Sequence, residues 1–588
     1  MDAKQKILRE VFGYPDFREG QTELIDSLLG GRDAVGIMPT GAGKSICYQV
    51  PALLLPGITV VVSPLISLMK DQVNALVQSG VHAAYLNSSL SEAQARKAMS
   101  NARAGVYKII YVAPERLLTP SFLSLSQAQE ISLVCVDEAH CVSQWGQDFR
   151  PNYLDVPRYL ETLPARPPVG AFTATATAEV REDIMRLLGL RDPKILVTGF
   201  DRPNLYFAVD APKDKYAALR DYLENHRGAS GIVYCLTRKT VEEVTTRLVQ
   251  DGFAAARYHA GLESAERQQN QDDFLYDRAR IMVATNAFGM GIDKSNVSFV
   301  IHYNMPKNLE SYYQEAGRAG RDGERADCLL LYSGRDVKTN EFLIDHGEGR
   351  SDLDEEQSEQ LRQRDRDRLR QMTFYATTRG CLRAFLLDYF GEQIPPCGNC
   401  SNCLANYETL DAAPQAAALL TAILASGRHY GAARWRTAMR ADETFFSWDE
   451  RRIRELISFL LERGLLLQSS GDYPVLSVSD AGEDFVQSPE PLPLKVLSAK
   501  KETRRAAQGA EGVDPRLYAK LEKLRLEAAR RAGVPAFVIF TNATLQEMCR
   551  RRPRTPEELL QVPGVGQAKV RHYGDEFLAV LRRAAAED

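Results

Sequence analysis

At 588 residues the chain is too long for one hydrophobic core and divides into roughly three to five domains. Its 44% hydrophobic and 26% charged residues are ordinary for a soluble protein, and a net charge of −4 excludes a uniformly basic nucleic-acid coat. Charge is uneven, though: Lys500 to Arg554 carries 14 Lys or Arg against 6 Asp or Glu, a local +8 that reads either as a polyanion footprint or as a solvated helical face.

No run of about 18 uninterrupted apolar residues occurs, and Met1 to Lys6 lacks the apolar core of a secretory signal. The expectation is a cytoplasmic protein without a membrane partner. Cys47, Cys135, Cys141, Cys235, Cys328 and Cys549 are scattered and read as buried thiols rather than as a disulfide framework.

Along the chain, Phe12-Gly13-Tyr14 and Phe17-Arg18 precede Gln21, whose amide can pair with two edge positions of a purine and so select adenine. Next comes Met38-Pro39-Thr40-Gly41-Ala42-Gly43-Lys44-Ser45, a phosphate cradle. Small residues let backbone N–H groups approach phosphate, Lys44 offers a point charge to the β/γ oxygens, and the Ser45 hydroxyl can ligate magnesium. Tyr14, Arg18, Gln21 and Thr40 through Ser45 form the expected ATP-binding set. About a hundred residues on, the apolar run Leu133 to Val136 ends in Asp137-Glu138-Ala139-His140. Asp137 suits the same magnesium and Glu138 the polarisation of an attacking water.

Short apolar runs at Ile58 to Val62, Lys108 to Val112, Leu133 to Val136 and Val169 to Phe172 predict buried parallel strands with helices between them. A second series at Gly231 to Cys235, Arg280 to Ala284, Phe299 to Tyr303 and Cys328 to Leu331 predicts another lobe of the same kind. In the first lobe Ser63, in Val62 to Leu68, and Arg116, in Val112 to Arg116, lie beyond strand ends, where a nucleic-acid phosphate backbone could run or the loops could simply cap strands. Thr173-Ala174-Thr175-Ala176 supplies hydroxyls that could link nucleotide state to that surface. Between Cys141 and Tyr153, Trp145, Phe149 and Arg150 make a candidate stacking platform for unpaired bases. In the second lobe Thr285 is a candidate phosphate contact and Asp293 a coupler. Gln314, Arg318 and Arg321 suit neutralisation of charge on the γ-phosphate, with Arg321 the first choice for an inserted guanidinium.

The order of Gln21, Gly41 to Ser45, Ser63-Pro64, Asp137 to His140, the aromatic loop, Thr173 to Ala176, Tyr258 to Gly261, Ala284 to Asp293 and Gln314 to Arg321 closely resembles superfamily 2 DNA helicases of the RecQ family. The resemblance implies two RecA-like lobes and an ATP-driven motor that moves 3′ to 5′ on single-stranded DNA and unwinds duplex DNA. It also implies a setting in recombination, replication and repair, including the SOS response. The two lobes alone leave an RNA helicase open, and so does a zinc-stapled DNA-binding ATP switch that does not unwind.

Asp352 to Met372 reads as a charged, solvent-facing helix. Cys381, Cys397, Cys400 and Cys403 then predict a closed tetrahedral zinc site, with redox chemistry as the rival. The resemblance makes this the family's zinc-binding subdomain, and residues 409–486 its winged helix. Gln487 to Pro493 reads as a proline-rich linker. Leu517, Leu521, Leu524 and Ala528 at helical spacing predict a small terminal bundle. This bundle resembles the helicase and RNase D C-terminal domain, with Pro535 to Phe540 and the glycine hairpin Val562 to Lys569, where Lys569 could meet a phosphate. The expected division is 1–205 and 206–337 for the lobes, 338–408 for the zinc region, 409–486 for the winged helix, 487–510 for the linker and 511–588 for the bundle. ATP, Mg2+ and Zn2+ are the expected cofactors. Single-stranded and duplex DNA are the expected partners, with a single-stranded-DNA-binding protein as a further one, and the expected state is a nucleoid-associated bacterial monomer.

Overall fold

The computed structural model describes residues 2–39, 41–87, 90–143, 149–289, 294–346, 355–405, 407–427, 430–469, 475–497 and 513–587. Among them, the chain up to Val197 builds a seven-stranded parallel sheet. Its order is Ala83–Leu86, Ile109–Val112, Ile58–Val62, Ile131–Val136, Val169–Thr173, Ala34–Ile37, Lys194–Val197. Ile58–Val62 is buried at every position because helices cover both faces: Val60 and Val62 join one core, Val61 the other. A continuous apolar run is what such a doubly covered parallel strand requires.

The second sheet has six parallel strands in the order Ala255–Tyr258, Ile281–Ala284, Gly231–Tyr234, Phe299–His302, Ala326–Leu331, Leu205–Asp210. All eight strands expected from apolar runs are present. Ala34–Ile37, Ala83–Leu86, Lys194–Val197, Leu205–Asp210 and Ala255–Tyr258 were not singled out. Lys194–Val197 lies at the sheet edge and alternates between half-buried and exposed, its short apolar run Ile195 to Val197 only partly covered.

Gly334–His346, Glu355–Thr377, Leu382–Tyr389 and Ser401–Leu404 form a helical region against the second sheet. The charged helix is not simply solvent-facing, contrary to the sequence reading. Its C-terminal half buries Leu369, Met372, Tyr375 and Ala376, the Tyr375 hydroxyl donates to the Tyr312 hydroxyl at 3.0 Å, and Arg364 pairs with Glu179 of the first lobe. A sparse apolar stripe on one face is enough to bury a helix whose other face stays charged.

Three helices, Ala413–Ala425, Ala432–Met439 and Glu450–Glu462, pack around a hairpin of Leu466–Gln468 and Leu476–Val478, the arrangement of a winged helix. Its boundary differs from the expected one. Pro493–Leu497 is no linker but a strand antiparallel to Tyr407–Asp411, so the unit is closed by a ribbon beginning and ending outside 409–486. Leu492, Leu494 and Val496 alternate inward, and Pro493 sits at the first strand position, where the missing N–H is tolerated. Wing-tip residues 470–474 and His429 lie outside the described residues.

Pro515–Ala532, Ala536–Ile539, Asn542–Arg551, Pro556–Leu559 and Gln567–Glu587 make the terminal bundle around Leu517, Leu521, Phe540, Leu545 and Phe577. Among the described residues no helix is long and apolar enough to cross a membrane. Because Leu494 is 2% exposed, Leu494→Ala is expected to destabilise the winged-helix unit by about 2–5 kcal/mol in chemical unfolding followed by the fluorescence of Trp435 and Trp448, which lie in that core.

Candidate functional site

The strand Ala34–Ile37 runs into the phosphate cradle, and helix Ile46–Leu54 leaves it, which is the strand–loop–helix context that a phosphate-binding turn needs. Gly41 and Gly43 adopt φ of +85° and +84°, a conformation that L side chains rarely take. The Lys44 ammonium donates to the Met38 carbonyl at 3.1 Å. Burial in the cleft lowers the Lys44 pKa; the Glu138 and Asp137 carboxylates oppose that shift and Arg321 adds to it. Thr40 lies outside the described residues.

Gln21 lies against the cradle. Its amide nitrogen donates to the Ala42 and Gly43 carbonyls at 3.2 and 3.1 Å, and its amide oxygen accepts from the Arg18 N–H at 2.9 Å. Arg18 also donates to the Gly41 carbonyl. Both residues therefore brace the cradle, and a Cβ on Gly43 would stand 2.6 Å from the Gln21 amide. Tyr14 is exposed beside Gly13, at the same edge.

Asp137 and Glu138 follow strand Ile131–Val136. Asp137 is 6% exposed, accepts from the Glu138 N–H at 3.1 Å, and its carbonyl accepts from the buried Tyr153 hydroxyl at 2.9 Å. Glu138 has φ of +48°, a strained left-handed conformation held by this packing. The Thr173 hydroxyl donates to the Thr175 carbonyl at 3.1 Å, so its contact with His140 Nδ1 at 2.8 Å makes that ring nitrogen the donor. Glu138 Oε2 lies 3.4 Å from the same nitrogen. The Gln314 amide then donates across the cleft to the Thr175 hydroxyl at 3.1 Å. A polar chain thus runs from Glu138 through His140, Thr173 and Thr175 to the second lobe. Arg321 belongs to a turn whose Cα stands 3.7 Å from where a Gly41 Cβ would be, while Arg318 is buried against Gly289.

The hard oxygen donors of Ser45 and Asp137 fit a magnesium ion, and the two carboxylates already act on the Lys44 ammonium. The four sulfurs of Cys381, Cys397, Cys400 and Cys403 lie within 4.8 Å of one another. Backbone N–H groups point at them: Ala384 and Cys397 donate to Cys381, Asn399 to Cys397, and Cys403 to Cys400, at 3.3–3.4 Å. Donors aimed at sulfur favour thiolates, and four thiolates fit zinc with no position left for water.

The candidate nucleic-acid residues divide. Arg150 donates to the Pro64 carbonyl at 2.8 Å, tying the aromatic loop to the turn after Ile58–Val62, and Phe149 is half-buried beside it. Trp145 and Asp293 lie outside the described residues. Ser63 is fully buried, and its hydroxyl finds no hydrogen-bond partner among the described residues, so it faces no open surface. Arg116 is half-buried after Ile109–Val112, and Thr285 is buried, its hydroxyl accepting from the Ala287 N–H. Lys569 is partly exposed, its ammonium sits 5.7 Å over the Phe540 ring, and burial pulls its pKa down to about 8. The hairpin before it packs on the first lobe, the Gly564 N–H donating to the Gly13 carbonyl at 2.9 Å and Tyr573 to Gln78 at 3.2 Å. Sequence reading had no signal for that docking, which depends on backbone groups.

Because Lys569 has a folded pKa below its unfolded value, its charge weakens folding at neutral pH and the penalty fades between pH 8 and 10.5. Lys569→Met is expected to raise the melting temperature at pH 7, with the gain shrinking towards pH 10.5 in a pH series of thermal melts. Stripping metal with a strong chelator is expected to release zinc and lower the melting temperature; unchanged melting would deny the cluster a structural role.

Models of four families match the chain: DEAD/DEAH box helicase over residues 18–184, helicase conserved C-terminal domain over 214–323, RecQ zinc-binding over 334–404 and HRDC domain over 514–581. The ATP-dependent DNA helicase RecQ of Bacillus subtilis (strain 168) is 40% identical over 599 residues, covering 99% of this chain and 98% of that protein. The proteins of the same name from Haemophilus influenzae and Pasteurella multocida are each 36% identical, covering 99% and 98% of this chain and 96% and 93% of theirs. With the phosphate cradle, the acidic tetrad and the four-cysteine cluster all in place, the chain belongs to the RecQ family of ATP-dependent DNA helicases.

Proposed function

We propose that the chain translocates 3′ to 5′ on single-stranded DNA and parts duplex DNA, using ATP cleaved between its two lobes. The observation that carries this reading is the meeting of the Arg321 turn with the phosphate cradle, joined by the bond from Gln314 to Thr175. Lys44 and the cradle amides bind the phosphates, and Asp137 with Ser45 would hold magnesium. When bound, that ion neutralises phosphate charge. Glu138 orients and polarises the attacking water, while His140 holds the Glu138 carboxylate. Arg321, with Arg318 behind it, stabilises charge that develops on the γ-phosphate.

Loss of that charge on product release relaxes the cleft, and Gln314 and Thr175 pass the change to the strand-binding face. Arg150, Phe149 and Trp145 grip or sense the strand, with Arg116 and Thr285 as further contacts. The zinc region and winged helix hold the duplex end. Recombination, replication and repair are the setting in this reading, with a single-stranded-DNA-binding protein as partner and a monomer as the working unit.

Strand displacement on duplexes with a 3′ or a 5′ single-stranded tail tests the reading. Unwinding is expected only with the 3′ tail, and it should vanish with Glu138→Gln while DNA binding persists. Unwinding from the 5′ tail alone would reverse the polarity. Arg321→Ala is expected to lower DNA-stimulated ATPase kcat on the order of 10³-fold. A wild-type kcat would remove Arg321 from the role given it here.

A further inference from the structure

Between the last strand of the first sheet, Lys194–Val197, and the first strand of the second, Leu205–Asp210, the connecting segment carries Arg202 into the cleft between the lobes. Its guanidinium donates to three backbone carbonyls of the turn that ends at Arg321. Nη1 reaches Gly317 at 3.4 Å, and Nη2 reaches Ala319 at 3.1 Å and Gly320 at 2.7 Å. Asn204 completes the clasp, its amide donating to the Gly320 and Glu324 carbonyls at 2.9 and 2.8 Å, and its amide oxygen accepts from Arg202 Nε at 3.3 Å. Gly320, at φ of +59°, allows no side chain here, since a Cβ would lie 2.5 Å from the Asn204 amide.

The same guanidinium borders the phosphate cradle: a Cβ on Gly41 would lie 3.4 Å from Arg202 Nη1. Arg202 is itself held from behind. Arg383, 2% exposed and two residues after Cys381, donates to the Arg202 carbonyl at 2.6 Å, to Asp201 at 2.5 Å and to the Leu205 carbonyl. A planar fork meets several carbonyls at once, which a lysine ammonium on a flexible stem cannot reproduce.

We infer that Arg202 is a positioning residue for nucleotide cleavage, acting through the Gly317–Gly320 turn to present Arg321 to the phosphate cradle, with Arg383 of the zinc region bracing it. This rests on the reading of Arg321 given above. The clasp links the inter-lobe connection, the zinc region and the reacting centre through backbone carbonyls, so the position of Arg321 follows that of the connecting segment. A role confined to satisfying buried carbonyls would weaken folding but would not act through Arg321.

A double-mutant cycle separates these roles. DNA-stimulated ATPase is measured for Arg202→Ala, Arg321→Ala and the double variant, alongside binding of a fluorescent ATP analogue and thermal melting. Arg202→Ala is expected to lower kcat by roughly 10- to 100-fold, the range for a misplaced catalytic group, with KM for ATP and analogue affinity nearly unchanged. In the Arg321→Ala background the same change should alter kcat by less than about twofold. Losses that multiply in the double variant overturn the inference. So does a loss confined to KM and analogue affinity, which would make Arg202 a nucleotide contact. Arg321→Ala at the wild-type rate removes the reading of Arg321 and this inference with it. If Arg202→Ala does not fold, Arg202→Lys keeps the charge without the fork and runs through the same cycle, with the same two outcomes deciding.

Discussion

Parallel strands place every carboxyl end on one side of a sheet; the first sheet turns those ends towards the cleft, and the second faces it with its opposite end, where the Arg321 turn runs from helix Leu309–Ala316 to the start of Ala326–Leu331. The phosphate cradle after Ala34–Ile37, the carboxylates after Ile131–Val136 and the Thr173 hydroxyl at the end of Val169–Thr173 converge for that reason, though over a hundred residues separate the first from the last. The right-handed crossover that a parallel pair requires sends the chain back along a helix, leaving each strand's exit loop free to carry a functional group. Remove the parallel order, and Lys44 and Glu138 lose any reason to meet.

Within the cleft the dominant feature is concentrated charge under poor solvation. Lys44 feels two carboxylates and a guanidinium, and Arg202 is affected by burial first and by Arg321 and Arg18 besides. Cations gathered in a site of low dielectric favour a polyanion there, because its phosphates offset the mutual repulsion and repay the desolvation. The polar chain from Glu138 to Gln314 gives that electrostatic centre a route to the other lobe. From His140 onward the links are hydrogen bonds between buried or half-buried groups, and the Glu138 carboxylate joins them through a 3.4 Å contact with the His140 ring, so displacement at one end is felt at the other.

The zinc region also stands closer to the reacting centre than a separate staple would. Phe200 stacks on Phe390 with centroids 5.0 Å apart, the Tyr313 hydroxyl donates to the Phe200 carbonyl at 2.7 Å, and Glu392 accepts from the Phe200 N–H at 2.6 Å. The connection between the lobes is therefore packed rather than loose. The terminal bundle adds a second bridge: its hairpin rests on Gly13, and Tyr276 of the second lobe donates to the Gly533 carbonyl at 3.0 Å.

Residue chemistry at fixed spacing determined much of this protein without coordinates. The cradle, the acidic tetrad and the four cysteines declare themselves because phosphate, magnesium and zinc tolerate few ligand types and few geometries. The buried strands did so because a doubly covered strand must be apolar at every position. Only the tertiary structure decided what Gln21, Ser63, Lys569 and Arg202 do. Gln21 spends its amide on the cradle, Ser63 is enclosed, Lys569 lies over a ring, and Arg202 clasps a turn far away in sequence. The pairing of Pro493–Leu497 with Tyr407–Asp411 belongs with them. Gln21, Arg202 and the ribbon meet backbone groups, which every residue carries alike, while Ser63 and Lys569 are placed by packing between elements, so no side-chain pattern announces them.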